Sequence, residues 1–188
     1  MFNELEFWKL CFLIDYFVKI RELIRKSMSK PVEIDSSIRT VEWKDNKVIM
    51  IEQTKLPNEL IFVEYDDFNQ VANAIKTLIV RGAPAIGVSG AFGLGLAVLQ
   101  SKATTKDDLL SDLEDARKIL FATRPTAVNL GWGLDKIMSI AKTGETVEQI
   151  RELVISTAKK MADEDIEINK SMGKNGSVLF DDNDTIMT

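Results

Sequence analysis

The run Arg81-Gly82-Ala83-Pro84-Ala85-Ile86-Gly87 places a guanidinium, a pliable backbone and a helix start side by side. That combination suits phosphate. Pro84 fits the first turn of a helix, because its φ is already helical and the N–H it lacks would be an orphan donor there. The N–H groups around Gly82 and Ala83 then lie free at the positive end of the helix, where an anion is favoured. Arg81 adds a planar fork of donors matched to phosphate oxygens. A plain interhelical turn with a solvated arginine accounts for the local pattern equally well. A second run, Thr123-Arg124-Pro125-Thr126-Ala127-Val128-Asn129-Leu130, repeats the device, with an arginine just before a proline at a helix boundary. Taken singly, Arg124 reads as a cation at a helix C-terminus, worth a few tenths of a kcal/mol.

The elements that must position these junctions follow from periodicity. Val71, Ala72, Ala74, Ile75, Leu78 and Ile79 predict a helix over Asp67–Val80. Further helices are expected at Pro84–Ser101, Thr105–Ala122, Thr126–Ala141 and Thr146–Met172, with Thr105/Asp108 and Thr146/Gln149 in capping-box register. Gly87, Gly90, Gly93 and Gly95 fall inside a helix rather than in a turn after a strand. This excludes a dinucleotide fingerprint and points to close approach of another backbone or a ligand. The stretch Ala83–Leu99 is almost uncharged but short for a membrane span and lacks flanking aromatic and basic belts, so it is expected as a buried central helix. Ser37–Trp43, Lys47–Gln53 and Glu59–Tyr65 read as strands, the first two joined by a hairpin turn at Asp45-Asn46. Lys170–Ser177, with Gly173, Asn175 and Gly176, reads as a linker.

A net charge of -5 argues against nucleic acid as a general partner, and a single cysteine against a disulfide framework. The absence of histidine removes Ser-His and Cys-His schemes and the commonest metal ligand. No membrane partner is expected, and the composition fits a cytoplasmic protein. Residues 1–27 form a strongly apolar stretch interrupted by Lys9, Asp15 and Lys19, expected to be a helical extension. Cys11, among Leu10, Phe12, Leu13 and Ile14, is read as a small buried hydrophobe.

Five ordered segments carry a resemblance. They are Ile38-Arg39-Thr40-Val41-Glu42-Trp43, Asp45-Asn46-Lys47-Val48, Gln53-Thr54-Lys55-Leu56-Pro57, Val80–Gly87, and Arg124–Leu130 with Trp132 and Asp135. In order and spacing the chain from about Met28 to Thr188 resembles the S-methyl-5-thioribose-1-phosphate isomerase family. The wider superfamily also holds ribose-1,5-bisphosphate isomerase and regulatory subunits of a translation-initiation exchange factor. The resemblance implies an aldose–ketose isomerase of methionine salvage, without metal or organic cofactor and commonly dimeric, acting on a sugar phosphate. It implies that Arg81, Gly82, Ala83 and Arg124 bind substrate. Asn129 lies near enough in sequence to stand behind them, and a helix-capping or a surface role fits it equally well. The expected fold is α+β: residues 28–172 form a small antiparallel sheet with helices. Residues 173–188 then hold a linker and the first strand of a truncated Rossmann-like domain, starting at Asp184.

The family's proton-handling cysteine, in a Thr-His-Cys run, and its aspartate have no match here. No catalytic residue is therefore expected before Thr188, and the chain is expected to be inactive alone. A non-catalytic interaction protein of the same superfamily, or a ribose-1,5-bisphosphate isomerase, is the competing reading.

Overall fold

The computed structural model describes residues 38–181 and 184–185. The expectations for residues 1–27, including Cys11, lie outside them. Among the described residues are three strands and five helices, an α+β arrangement, within one compact unit spanning Arg39–Thr188.

Strands β1 (Val41–Lys44), β2 (Lys47–Ile51) and β3 (Phe62–Tyr65) form an antiparallel sheet in that order. The first hairpin closes through Asp45 and Asn46 at φ 51° and 58°, two consecutive left-handed residues. These are the residue types that tolerate that region, and the two-residue turn sets the register Trp43↔Val48 and Lys44↔Lys47. The strands are shorter than expected. Pairing stops at Ile51 because the chain leaves it for a turn around Lys55, whose carbonyl accepts from Asn58 and Glu59. Val48 and Met50 are buried, and Trp43 leans on Phe92 with ring centroids 5.6 Å apart.

The helices are α1 (Phe68–Lys76), α2 (Ala83–Gln100), α3 (Lys106–Thr123), α4 (Val128–Ala141) and α5 (Val147–Ser177). Helix α2 is the axis of the domain. It is long and apolar enough to cross a membrane by length and composition, yet 72% of it is buried by its neighbours. Its glycines explain how they come so close. A Cβ at Gly87 would sit 2.8 Å from the Asn129 carbonyl oxygen, and one at Gly133 of α4 would sit 2.6 Å from the carbonyl oxygen of Gly87. Gly93 receives Leu120 of α3, and Gly95 receives the Trp43 ring. The close approach anticipated from the glycine spacing is therefore met by backbone at Gly87 and by side chains further along.

Three helix boundaries differ from expectation by more than one residue. Helix α1 stops at Lys76 rather than Val80, because Leu78 turns to φ 63° and the Ile79 carbonyl is taken by the Gln53 N–H at 2.9 Å. Helix α4 begins at Val128, not Thr126. Helix α5 continues through Ser177, so the stretch read as a linker is helical. Gly173 and Gly176 cost about 1 kcal/mol each, but extending an existing helix adds a hydrogen bond per residue without a new nucleus. Asp184 and Thr185 are not in a strand, and the rest of the strand expected there falls largely outside the described residues.

Candidate functional site

Helix ends distinguish the two arginine junctions from the rest of the domain. Asp67 caps α1 with a capping box to Gln70, Thr105 caps α3 by accepting from the Asp108 N–H, and Thr146 caps α5 by accepting from the Gln149 N–H. Helices α2 and α4 have no such side-chain cap. The residue at the start of α2 is Gly82, at φ 92°, a conformation open to glycine and strained for other residues. At the start of α4 it is Ala127, which has no side-chain acceptor. The first N–H groups of these two helices are left for another acceptor. Since α2 and α4 touch at Gly87, Asn129 and Gly133, two open helix starts lie against the same junction.

The arginines divide the same way. Arg39 pairs with Asp163 at 2.7 Å; Arg117 pairs with Asp135 at 2.6 Å and Glu114 at 3.3 Å; Arg151 donates to the carbonyls of Val98 and Ser101. Arg81 gives only its Nε, to the Leu78 carbonyl at 3.3 Å, which leaves its two terminal nitrogens without an acceptor among the described residues. Arg124 has no side-chain acceptor among the described residues. Its backbone is fixed instead, with the N–H donating to Phe121 and the carbonyl accepting from Ala127. Gln53 holds the Arg81 carbonyl through its side-chain amide at 3.4 Å.

A cleft of about 170 Å³ opens beside this junction, lined by Pro84, Gly87 and Val88 of α2, Asn129 and Trp132 of α4, and Met161, Glu164, Asp165 and Ile168 of α5. Burial pushes the Asp165 carboxyl above the ordinary carboxylate range, partly offset by the amide of Asn169. As pH rises through that window the native state loses a proton it holds more tightly than the unfolded chain does, so this group removes stability on going up in pH. Asn129 is the second residue of α4 and lines the cleft, so the helix-cap role considered for it belongs to Ala127. Val128 is 82% exposed, and Trp132, 57% exposed, lies along the cleft with the Lys136 ammonium 5.1 Å over its ring. The α5 residues of the cleft were missed because the helical spacing of Met161, Asp165 and Ile168 marks a common face and says nothing of what that face meets.

Fold and site together describe a small sheet-and-helix domain with a candidate anion site at two adjoining helix starts. The chain belongs to the Initiation factor 2 subunit family, which matches residues 79–188. It is 42% identical over 154 residues to a methylthioribose-1-phosphate isomerase of Geotalea uraniireducens, covering 81% of this chain and 44% of that protein. It is 41% identical over 151 residues to a putative methylthioribose-1-phosphate isomerase of Archaeoglobus fulgidus, covering 80% and 44%. Among solved structures it superposes on 5-methylthioribose 1-phosphate isomerase from Pyrococcus horikoshii with a TM-score of 0.74 at 42% identity, covering 81% of this chain and 44% of that one. A translation initiation factor eIF-2B subunit delta from A. fulgidus gives 0.73 at 42% identity, covering 79% and 43%. The chain thus spans less than half the length of these relatives.

Proposed function

We propose that residues 28–188 form the phosphate-binding and sugar-orienting part of an aldose–ketose isomerase acting on 5-methylthioribose 1-phosphate. The observation that carries the reading is the coincidence of open helix starts with uncommitted arginines: α2 and α4 lack side-chain caps, and Arg81 and Arg124 precede them. In this reading the Gly82 and Ala83 N–H groups and the Arg81 fork hold the phosphate, and Arg124 reaches the phosphate or sugar from the second junction. The names of the relatives supply the substrate. Proton transfer between C1 and C2 needs an acid–base group placed at the sugar carbons. The cysteine and aspartate that the resemblance implies have no match in residues 28–188, so the proposal assigns this stretch binding without catalysis.

Calorimetric titration of the chain with 5-methylthioribose 1-phosphate tests this. Arg81→Lys and Arg124→Ala are expected to weaken binding by about 1–3 kcal/mol each, the scale of a charge-assisted hydrogen bond, with the melting temperature unchanged. Unchanged affinity in both variants would remove the assignment. NMR of the same mixture is expected to show no ketose, and turnover of about 1 s⁻¹ or more would mean that these residues hold the proton carrier after all. The name of the A. fulgidus structural neighbour supports a second reading, a non-catalytic initiation-factor-like subunit, which predicts no affinity for the sugar phosphate.

A further inference from the structure

We infer that Gln53 is a positioning residue for the anion site: its side-chain amide holds the Arg81–Gly82 peptide and so fixes the direction in which the Gly82 N–H is offered. The inference rests on the phosphate site proposed above. Gln53 lies 28 residues before Arg81, just past β2. Its place is set by the sheet, where the Ile51 N–H donates to the Thr40 carbonyl at 3.0 Å and the Glu52 N–H to the Ile61 carbonyl at 2.8 Å. From there it grips the loop between α1 and α2 twice. Its backbone N–H donates to the Ile79 carbonyl at 2.9 Å, and its Nε2 donates to the Arg81 carbonyl at 3.4 Å. Val80, between those two residues, is fully buried.

The second grip bears on the site. In a trans peptide the C=O and the following N–H point in opposite directions, so a bond that draws the Arg81 carbonyl toward Gln53 also turns the Gly82 N–H away from it. Nothing local does this. Glycine takes positive and negative φ about equally, so Gly82, at φ 92°, gives little resistance to that peptide turning over. The Arg81 Nε, bonded to the Leu78 carbonyl at 3.3 Å, steadies the side chain and not the peptide. A helix start that offers its N–H groups to an anion thus depends on an amide brought from the sheet.

The test is titration of the isotopically labelled chain with inorganic phosphate, read by calorimetry and by backbone amide NMR, in wild type, Arg81→Lys and Gln53→Met. Methionine keeps the length of the side chain, removes the donor and leaves the backbone bond to Ile79 in place. Phosphate affinity of Gln53→Met is expected to fall about three- to tenfold, the scale of one neutral hydrogen bond. At saturation the Gly82 shift should be largely lost while the Val128 and Asn129 shifts persist. The free variant should also show exchange broadening at the Gly82 amide that wild type lacks. Gln53→Asn, too short to reach the carbonyl, keeps a polar group at this half-buried position and should show the same losses if the methionine variant does not fold. Wild-type affinity and an intact Gly82 shift in the Gln53 variant, with Arg81→Lys weakened, would overturn the role of Gln53 and leave the phosphate site standing. Equal losses at every helix start with a lowered melting temperature would also overturn it, since Gln53 would then only hold the fold. Absence of a Gly82 shift in wild type would overturn both.

Discussion

The two ends of α2 are finished in opposite ways. At its C-terminus the last carbonyls are taken up from within the protein: Arg151 of α5 donates to Val98 and Ser101 at 3.3 and 2.9 Å, and the Ser101 N–H donates to Ala97. At its N-terminus Gly82 offers no side chain, and Arg81 keeps its terminal nitrogens away from any carboxylate among the described residues. One end is closed with a charged hydrogen bond from a distant helix, and the other is left open with a charge held beside it. Satisfied backbone groups add to stability, while open ones are available to a ligand. The contrast separates arginines that hold the fold from arginines placed to hold something else.

The contact that brings the second open start to the first is the place to break this arrangement most severely. Gly133→Ala would put a methyl 2.6 Å from the Gly87 carbonyl oxygen, a backbone atom with little freedom to move. Overpacking of this kind costs about 1–3 kcal/mol, and the melting temperature should fall by roughly 5–10 °C. Phosphate affinity should fall with it, since α4 is pushed from α2. Retained stability measured by calorimetric melting would mean that the helices slide past the methyl without loss.

Arg151→Ala sharpens the comparison from the closed end. Loss of two charge-assisted bonds to α2 carbonyls should cost about 1–2 kcal/mol in denaturant unfolding and leave phosphate affinity untouched, the reverse of the result expected for Arg81→Lys. A variant that loses affinity as well would show that the ends are coupled. The smallest effect is expected at Ala127. Replacing it with serine supplies the cap that α4 lacks, so unfolding should become harder by about 0.5–1 kcal/mol. The new hydroxyl then competes for the N–H groups offered to the anion, and phosphate should bind roughly two- to fivefold more weakly.

How much of this could be read from the chain depended on how far apart the partners lie. The Asp45-Asn46 hairpin was legible because two adjacent residues decide their own backbone. The residue types at Arg81 and Arg124 were legible, and so was the reading that α2 is a buried central helix. That Arg117 and Arg39 are spoken for was not, since their carboxylates arrive from Asp135 on α4 and from Asp163, 124 positions along the chain. An arginine's availability is a property of the assembled fold. The same holds for Val128, which is 82% exposed although Leu130, two residues on, is fully buried. The end of α1 was misplaced because a tertiary hydrogen bond from Gln53, just past β2, not a local stop signal, holds Ile79. The helical run through Gly173 and Gly176 was missed because local breakers were weighed without the long helix that precedes them.

The most direct test of the open helix starts is a titration of isotopically labelled protein with inorganic phosphate, followed by the backbone amide signals at all five helix N-termini. Saturable shifts are expected at Gly82, Ala83, Ala85, Val128 and Asn129, with Asn69, Asp108 and Gln149 at the capped starts unmoved and the response absent in Arg81→Lys. Shifts of equal size at the capped and uncapped starts, or none at Gly82 and Ala83, would contradict the account.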